Sequence, residues 1–308
     1  MATNTLTLRL LTDPVSASMG AKCLDGTPGG YYFRKGVGQS VDRFLLILVG
    51  SGWCTSLESC KARAATAVGS SSDWESIVHG YGMANASSTG NRDFFDWSVA
   101  YVAACDGAFF LGDRPQPTAN GLHFRGRAIV DATVADLVRR EGLSSASALV
   151  VTGESSGGLA AALSVDRIAT MLPAVADVRA VADAAFFLDR PKCGGDRASL
   201  QPIAELAMLN GSLRSCVGSE LWRCASLPHA LPSIASPVFL TQSAYDYSQL
   251  GDGGEGLGCT PPSTVAASSL PACNATGMAR CVMLAQTQGP KKRGAKRGAK
   301  RGTSRFPP

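Results

Sequence analysis

The chain has 308 residues, of which 45% are hydrophobic and 17% charged, enough to bury one large core. Residues 291–308 carry eight Lys and Arg and no acid, so the net charge of +5 less those eight leaves −3 for the body. That balance excludes a nucleic-acid footprint over the whole fold, and the strongest apolar run, Phe44 to Val49, is too short to span a membrane.

In chain order, Leu6 to Leu11 alternates apolar and polar residues, which predicts an edge strand. The turn-rich stretch Cys23 to Gly30 leads to a strand at Tyr31 to Phe33. Phe44 to Val49 is a central strand, and Gly50-Ser51-Gly52-Trp53 opens a loop after it. Ser56 to Thr66 is helical, and Trp74 to Asn91 is polar and loop-like. Trp97 to Val102 is a strand, and a helix runs from Ala128 to Glu141. Ala148 to Val151 is a strand followed at once by Gly153-Glu154-Ser155-Ser156-Gly157-Gly158 and the helical run from Leu159. Val178 to Asp183 and Ser236 to Gln242 are further strands. Strands alternating with helices predict an α/β fold, a mostly parallel sheet with helices on both faces.

The chemistry sits at residues 153–158. A serine on a sharp turn between strand and helix projects its hydroxyl away from the sheet, and flanking glycines allow the close approach of strand and helix. This pattern marks the nucleophile elbow of an α/β-hydrolase fold, with Ser155 as candidate nucleophile. An oxyanion formed there needs donors. The N–H of Ser156 is one, and the N–H groups of Gly52 and Trp53, after the strongest strand, are the others. A serine also needs a base and an orienting acid. Asp246, just past the Ser236 to Gln242 strand, is the candidate acid, and Asp183 is the alternative. The chain's histidines are His79, His123 and His229, and none follows Asp246 in the order Ser, acid, His. The spacing expects His79 to be exposed, His123 to be structural and His229 to be a weak substitute base.

Ten cysteines and three glycosylation sequons, at Asn85, Asn210 and Asn274, favour an oxidising, secretory setting, although residues 1–20 show no signal-peptide pattern. The spacing of Cys54 and Cys60 suits a small disulfide loop, and no cysteine pair has metal-site spacing. The segment 251–271 reads as a loop or lid. From residue 289 the repeated Lys-Arg-Gly-Ala unit predicts a basic, low-complexity, disordered tail, after a single catalytic domain over 1–288 that is incomplete at its C-terminal side.

Several segments, taken in order, are similar to one family: Cys23 to Tyr32, Gly50 to Cys54 with Cys60, Gly69 to Ser71, and Cys105 to Gly112. Further matches are Leu122 to Gly126, Gly153 to Leu159, Asp183 to Asp189 and Tyr245 to Leu250. Together they resemble the pectin acetylesterase/Notum family of carboxylesterases over about residues 6–286. The resemblance implies an extracellular or cell-wall serine esterase that needs no cofactor or metal and acts as a monomer. Its substrate would be an acylated polysaccharide or another acyl ester, with acetyl the expected group. By motif position it implies Ser155 as nucleophile, Asp246 as acid, Gly52, Trp53 and Ser156 as oxyanion donors, and disulfides Cys23–Cys105 and Cys54–Cys60. The chain departs from the family at Ser51, Glu154 and Ser156, where Gly, Cys and Ala are usual, and in the C-terminal segment that carries the family's histidine. That last departure leaves an alternative expectation, a catalytically impaired member that binds a glycan or acylated ligand.

Overall fold

The computed structural model describes residues 3–188, 200–208, 221–243, 246 and 249. Their strands are β1 (Thr5–Leu10), β2 (Gly30–Arg34), β3 (Arg43–Leu48), β4 (Ile77–His79), β5 (Ser98–Val102), β6 (Ala148–Glu154), β7 (Val178–Asp183) and β8 (Val238–Thr241). Their helices are α1 (Pro14–Ser18), α2 (Leu57–Ala64), α3 (Gly126–Glu141), α4 (Ser156–Met171), α5 (Gln201–Leu206) and α6 (Leu227–Ala230). The segment 251–271 and the basic repeat, with sequons Asn210 and Asn274, lie outside the described residues.

The strands form one sheet in the order β4-β1-β2-β5-β3-β6-β7-β8. From β5 to β8 every neighbour is parallel, whereas β1 and β2 join by antiparallel pairing. Hydrophobic run length explains this. β3 and β6 are almost continuously apolar because both faces are covered, as parallel strands require. The chain leaves β3 for β5 on one side and returns to β6 on the other. The C-terminal ends of β3 and β6 therefore flank a point where the strand order reverses, the place where open α/β sheets build their crevices.

α3 and α4 cover one face. Ile129, Val130 and Val134 of α3 and Ala160, Ala161 and Val165 of α4 pack with Leu46, Leu48 and Val151 of the sheet. α3 ends at Gly142, whose φ of 74° suits the left-handed cap that glycine adopts without steric cost. On the opposite face Leu6, Tyr32, Leu45 and Val99 pack under Ala84 and Trp97.

Two expectations need correction. β1 is not an edge strand, because it pairs with β2 on one side and β4 on the other. Its alternation reports one buried face and says nothing about hydrogen-bonding neighbours. The edge is β4, three residues within the stretch predicted to be loop, too short and too exposed to show a period. α1 is a further short element, capped by Asp13, whose carboxylate accepts from the N–H groups of Val15 and Ser16.

Candidate active site

The elbow forms as its sequence predicts, with the strain on one residue. Ser155 has φ 56° and ψ −127°, unfavourable for a residue with a Cβ, and it separates β6 from α4. Gly153, Gly157 and Gly158 are absent from the left-handed region. Their role is close approach. A Cβ on Gly157 would stand 2.0 Å from the carbonyl oxygen of Leu48, and one on Gly153 would meet the Gly157 carbonyl carbon at 2.4 Å. A Cβ on Gly50 would lie 2.2 Å from the carbonyl oxygen of Glu154 and 3.4 Å from the Ser155 Cβ. The loop after β3 thus rests directly on the elbow.

The N–H of Ser155 donates to the Asp183 carbonyl at 2.8 Å, and the N–H of Ala184 donates to the Thr241 carbonyl at 2.9 Å. The ends of β6, β7 and β8 are tied in sequence by these bonds. Asp246 lies five residues past the end of β8, the strand two places from β6 in the sheet. The side-chain amides of Gln242 and Gln249 each donate to Oδ2 of Asp246 at 2.7 Å. Gln242 Oε1 accepts from the N–H of Phe186, and Gln249 Oε1 from that of Leu188. The carboxylate is therefore anchored to the loop that follows β7. Asp183, the alternative acid, is exposed, and its carboxylate accepts from the Thr241 hydroxyl.

The loop bearing Gly52 and Trp53 is held from three directions. Cys54 and Cys60 form a disulfide with Cα atoms 5.0 Å apart, joining the loop to α2. The N–H of Cys54 donates to the Gly107 carbonyl at 3.0 Å. The Trp53 ring, 4% exposed, meets Phe109 and Phe187 edge-on at 5.4 and 5.1 Å. The second expected disulfide, Cys23–Cys105, is also present, with Cα atoms 4.8 Å apart. Cys224 is also disulfide-bonded.

Ser156 does more than its backbone role predicts. Its Oγ accepts from the N–H of Ser51 and from the N–H of Gly52, both at 3.0 Å. The Gly52 donor therefore faces the elbow, and it is engaged there by a hydroxyl. The Ser156 side chain is 1% exposed. Glu154, beside it, is exposed.

Sequence reasoning passed over Arg63. Its guanidinium donates to the carbonyl oxygens of Ser51 and Gly52 and to the Ser51 hydroxyl. The available signal was its position three residues after Cys60 on α2, hence on the face the disulfide turns toward the loop. Asp106 lies behind this loop. Burial pushes its carboxyl up, partly countered by the N–H of Phe110 at 3.0 Å and by the charge of Arg63.

The three histidines occupy different parts of the molecule. His79 is exposed on β4, five strands from β6 and hence some 24 Å away at ~4.8 Å per strand. The His123 ring lies against Gly26, and burial together with the charge of Lys22 lowers its pKa. His229 lies on α6 and is exposed. The Asn85 side chain accepts from the N–H of Ser87, its own sequon's third residue, at 2.8 Å.

The model of a family described as pectinacetylesterase matches residues 2–275. The chain belongs to the pectinacetylesterase family. Among relatives, pectin acetylesterase 5 of Arabidopsis thaliana is 36% identical over 250 residues, covering 79% of this chain and 58% of its own length. Pectin acetylesterase 4 of the same plant is 36% identical over 244 residues, 76% of this chain and 59% of the relative. Palmitoleoyl-protein carboxylesterase Notum of Homo sapiens is 30% identical over 248 residues, 74% of this chain and 49% of that protein. The chain thus spans between about half and three-fifths of the length of these curated relatives.

Proposed function

We propose that this pectinacetylesterase-family chain is a serine carboxylesterase that removes acetyl groups from an acylated polysaccharide. The observation that carries the reading is Ser155, held at φ 56° on the elbow, with the loop of Gly52 and Trp53 resting against it. Relatives named pectin acetylesterases support the substrate class. The two disulfides and the half-buried Asn85 sequon support a secreted protein.

In this reading the Ser155 oxygen attacks the ester carbonyl, and the resulting oxyanion receives N–H donors from Ser156, Trp53 and Gly52. Collapse returns the proton that the base took from Ser155 to the departing oxygen, so that the sugar leaves as its free hydroxyl and an acetyl group stays on Ser155, which water then removes as acetate. Asp246, anchored by Gln242 and Gln249, is the acid that would orient a protonated base. Its position on the outer strand removes His79 from consideration as that base.

A second reading, binding of an acyl ligand without turnover, is favoured by one observation. The Gly52 N–H, a donor in the esterase reading, is already given to the Ser156 hydroxyl.

The experiment compares the protein with Ser155→Ala, measuring acetate released from acetylated pectin and hydrolysis of 4-nitrophenyl acetate. Turnover lost in the variant, with an unchanged melting temperature, is expected. Equal rates in the two proteins would remove Ser155 from the reaction, and ligand binding with no turnover in either would favour the second reading.

A further inference from the structure

Peptide planes are rigid and trans, so their C=O and N–H groups point in opposite directions. The carbonyl of Ser51 shares a peptide plane with the N–H of Gly52, and the carbonyl of Gly52 shares one with the N–H of Trp53. Arg63 holds both of these carbonyl oxygens with one guanidinium nitrogen. The two N–H groups must then face away from α2. The Gly52 N–H does so, reaching the Ser156 hydroxyl at 3.0 Å on the elbow side.

We infer that Arg63 is a positioning residue for the oxyanion site, fixing the Gly52 and Trp53 peptides from behind and turning their N–H groups toward Ser155. The inference rests on the esterase reading above. Three features of α2 place the guanidinium. Ser56 and Ser59 close a capping box at its N-terminus, with Ser59 N–H to Ser56 Oγ at 3.1 Å and Ser56 N–H to Ser59 Oγ at 2.9 Å. Cys60, one turn on, is bonded to Cys54 beside the loop. Arg63, three residues later, is brought onto the carbonyls by that link. A permanently charged guanidinium suits this task, because a single Nη2 reaches both neighbouring carbonyls and the group does not lose its proton at working pH. Its charge also polarises both peptides in the direction that strengthens their N–H groups as donors. Arg63 touches no reacting atom.

The test uses the whole chain with Arg63→Met and Arg63→Lys, and Lys61→Ala, an exposed cation on the same helix, as control. Kinetics with 4-nitrophenyl acetate are measured together with amide hydrogen exchange across residues 50–64. For Arg63→Met, kcat falls by about 10- to 100-fold while KM stays within about threefold, the pattern of an interaction made in the transition state. Arg63→Lys recovers part of the loss, and Lys61→Ala keeps the parent kcat and KM. Exchange at Gly52 and Trp53 quickens by about tenfold while α2 keeps its protection. A kcat within about twofold of the parent, a loss confined to KM, or equal loosening throughout α2 would each overturn the inference. If Arg63→Met does not fold, Arg63→Lys carries the same comparison. If the parent and Ser155→Ala hydrolyse the ester equally, the esterase reading has failed, and exchange at Gly52 and Trp53 alone decides whether Arg63 orients the loop.

Discussion

At the scale of single residues, Ser155 and Ser156 are neighbours with opposite constraints. Ser155 is strained and half-buried, while Ser156 is relaxed in its helix and has its hydroxyl spent on two backbone donors. In Ser156→Ala the Gly52 N–H is released toward any oxyanion, at the loss of two hydrogen bonds worth about 1–3 kcal/mol together. The expected outcome is a lower melting temperature with kcat for 4-nitrophenyl acetate raised several-fold. A kcat unchanged or lowered would mean that the hydroxyl supports the loop and does not compete for it. Ser155 was legible in the sequence because an elbow imposes a local pattern of strand, small residues and helix. The Ser156 hydroxyl contact was not, because its partners at 51 and 52 lie about a hundred residues away. Asp246 was legible as an acid past a strand end, but its amide supports Gln242 and Gln249 were not, since no short motif marks them.

At the scale of elements, the first turn of α4 meets the ends of β3 and β6 through backbone, whereas its later turns pack on them through side chains. Gly157 is the tightest point, and its substitution tests the contact. In Gly157→Ala the new Cβ, 2.0 Å from the Leu48 carbonyl oxygen, can be accommodated only if α4 moves off β3. The expected cost exceeds about 3 kcal/mol, read as a fall in denaturation midpoint, together with loss of esterase turnover. Wild-type stability in that variant would show that the approach is looser than described. β3 and β6 were legible because burial on both faces leaves nearly continuous apolar runs, and β7 because one buried face leaves an alternation. β4 was not, because three exposed residues carry no period, and β1 was placed at the wrong position because alternation cannot distinguish an edge from an interior strand covered on one face.

At the scale of the whole molecule, the disulfide Cys23–Cys105 closes a loop of 82 residues that contains β2, β3, α2, β4 and β5. Replacing both cysteines by serine restores the freedom of that loop to the unfolded chain. The expected loss is about 4 kcal/mol, measured by chemical denaturation in non-reducing buffer. A loss below about 1 kcal/mol would mean that residual structure already restrains the loop in the unfolded chain. The sheet has one more consequence. β3 and β6 are adjacent in space but separated in the chain by two strands and the helices α2 and α3, so no short fragment can bring residue 52 beside residue 155. A covalent reagent that modifies only an activated Ser155 would therefore count completed molecules. Its endpoint in a preparation would serve as a census of correctly folded protein, independent of how quickly each copy turns over substrate.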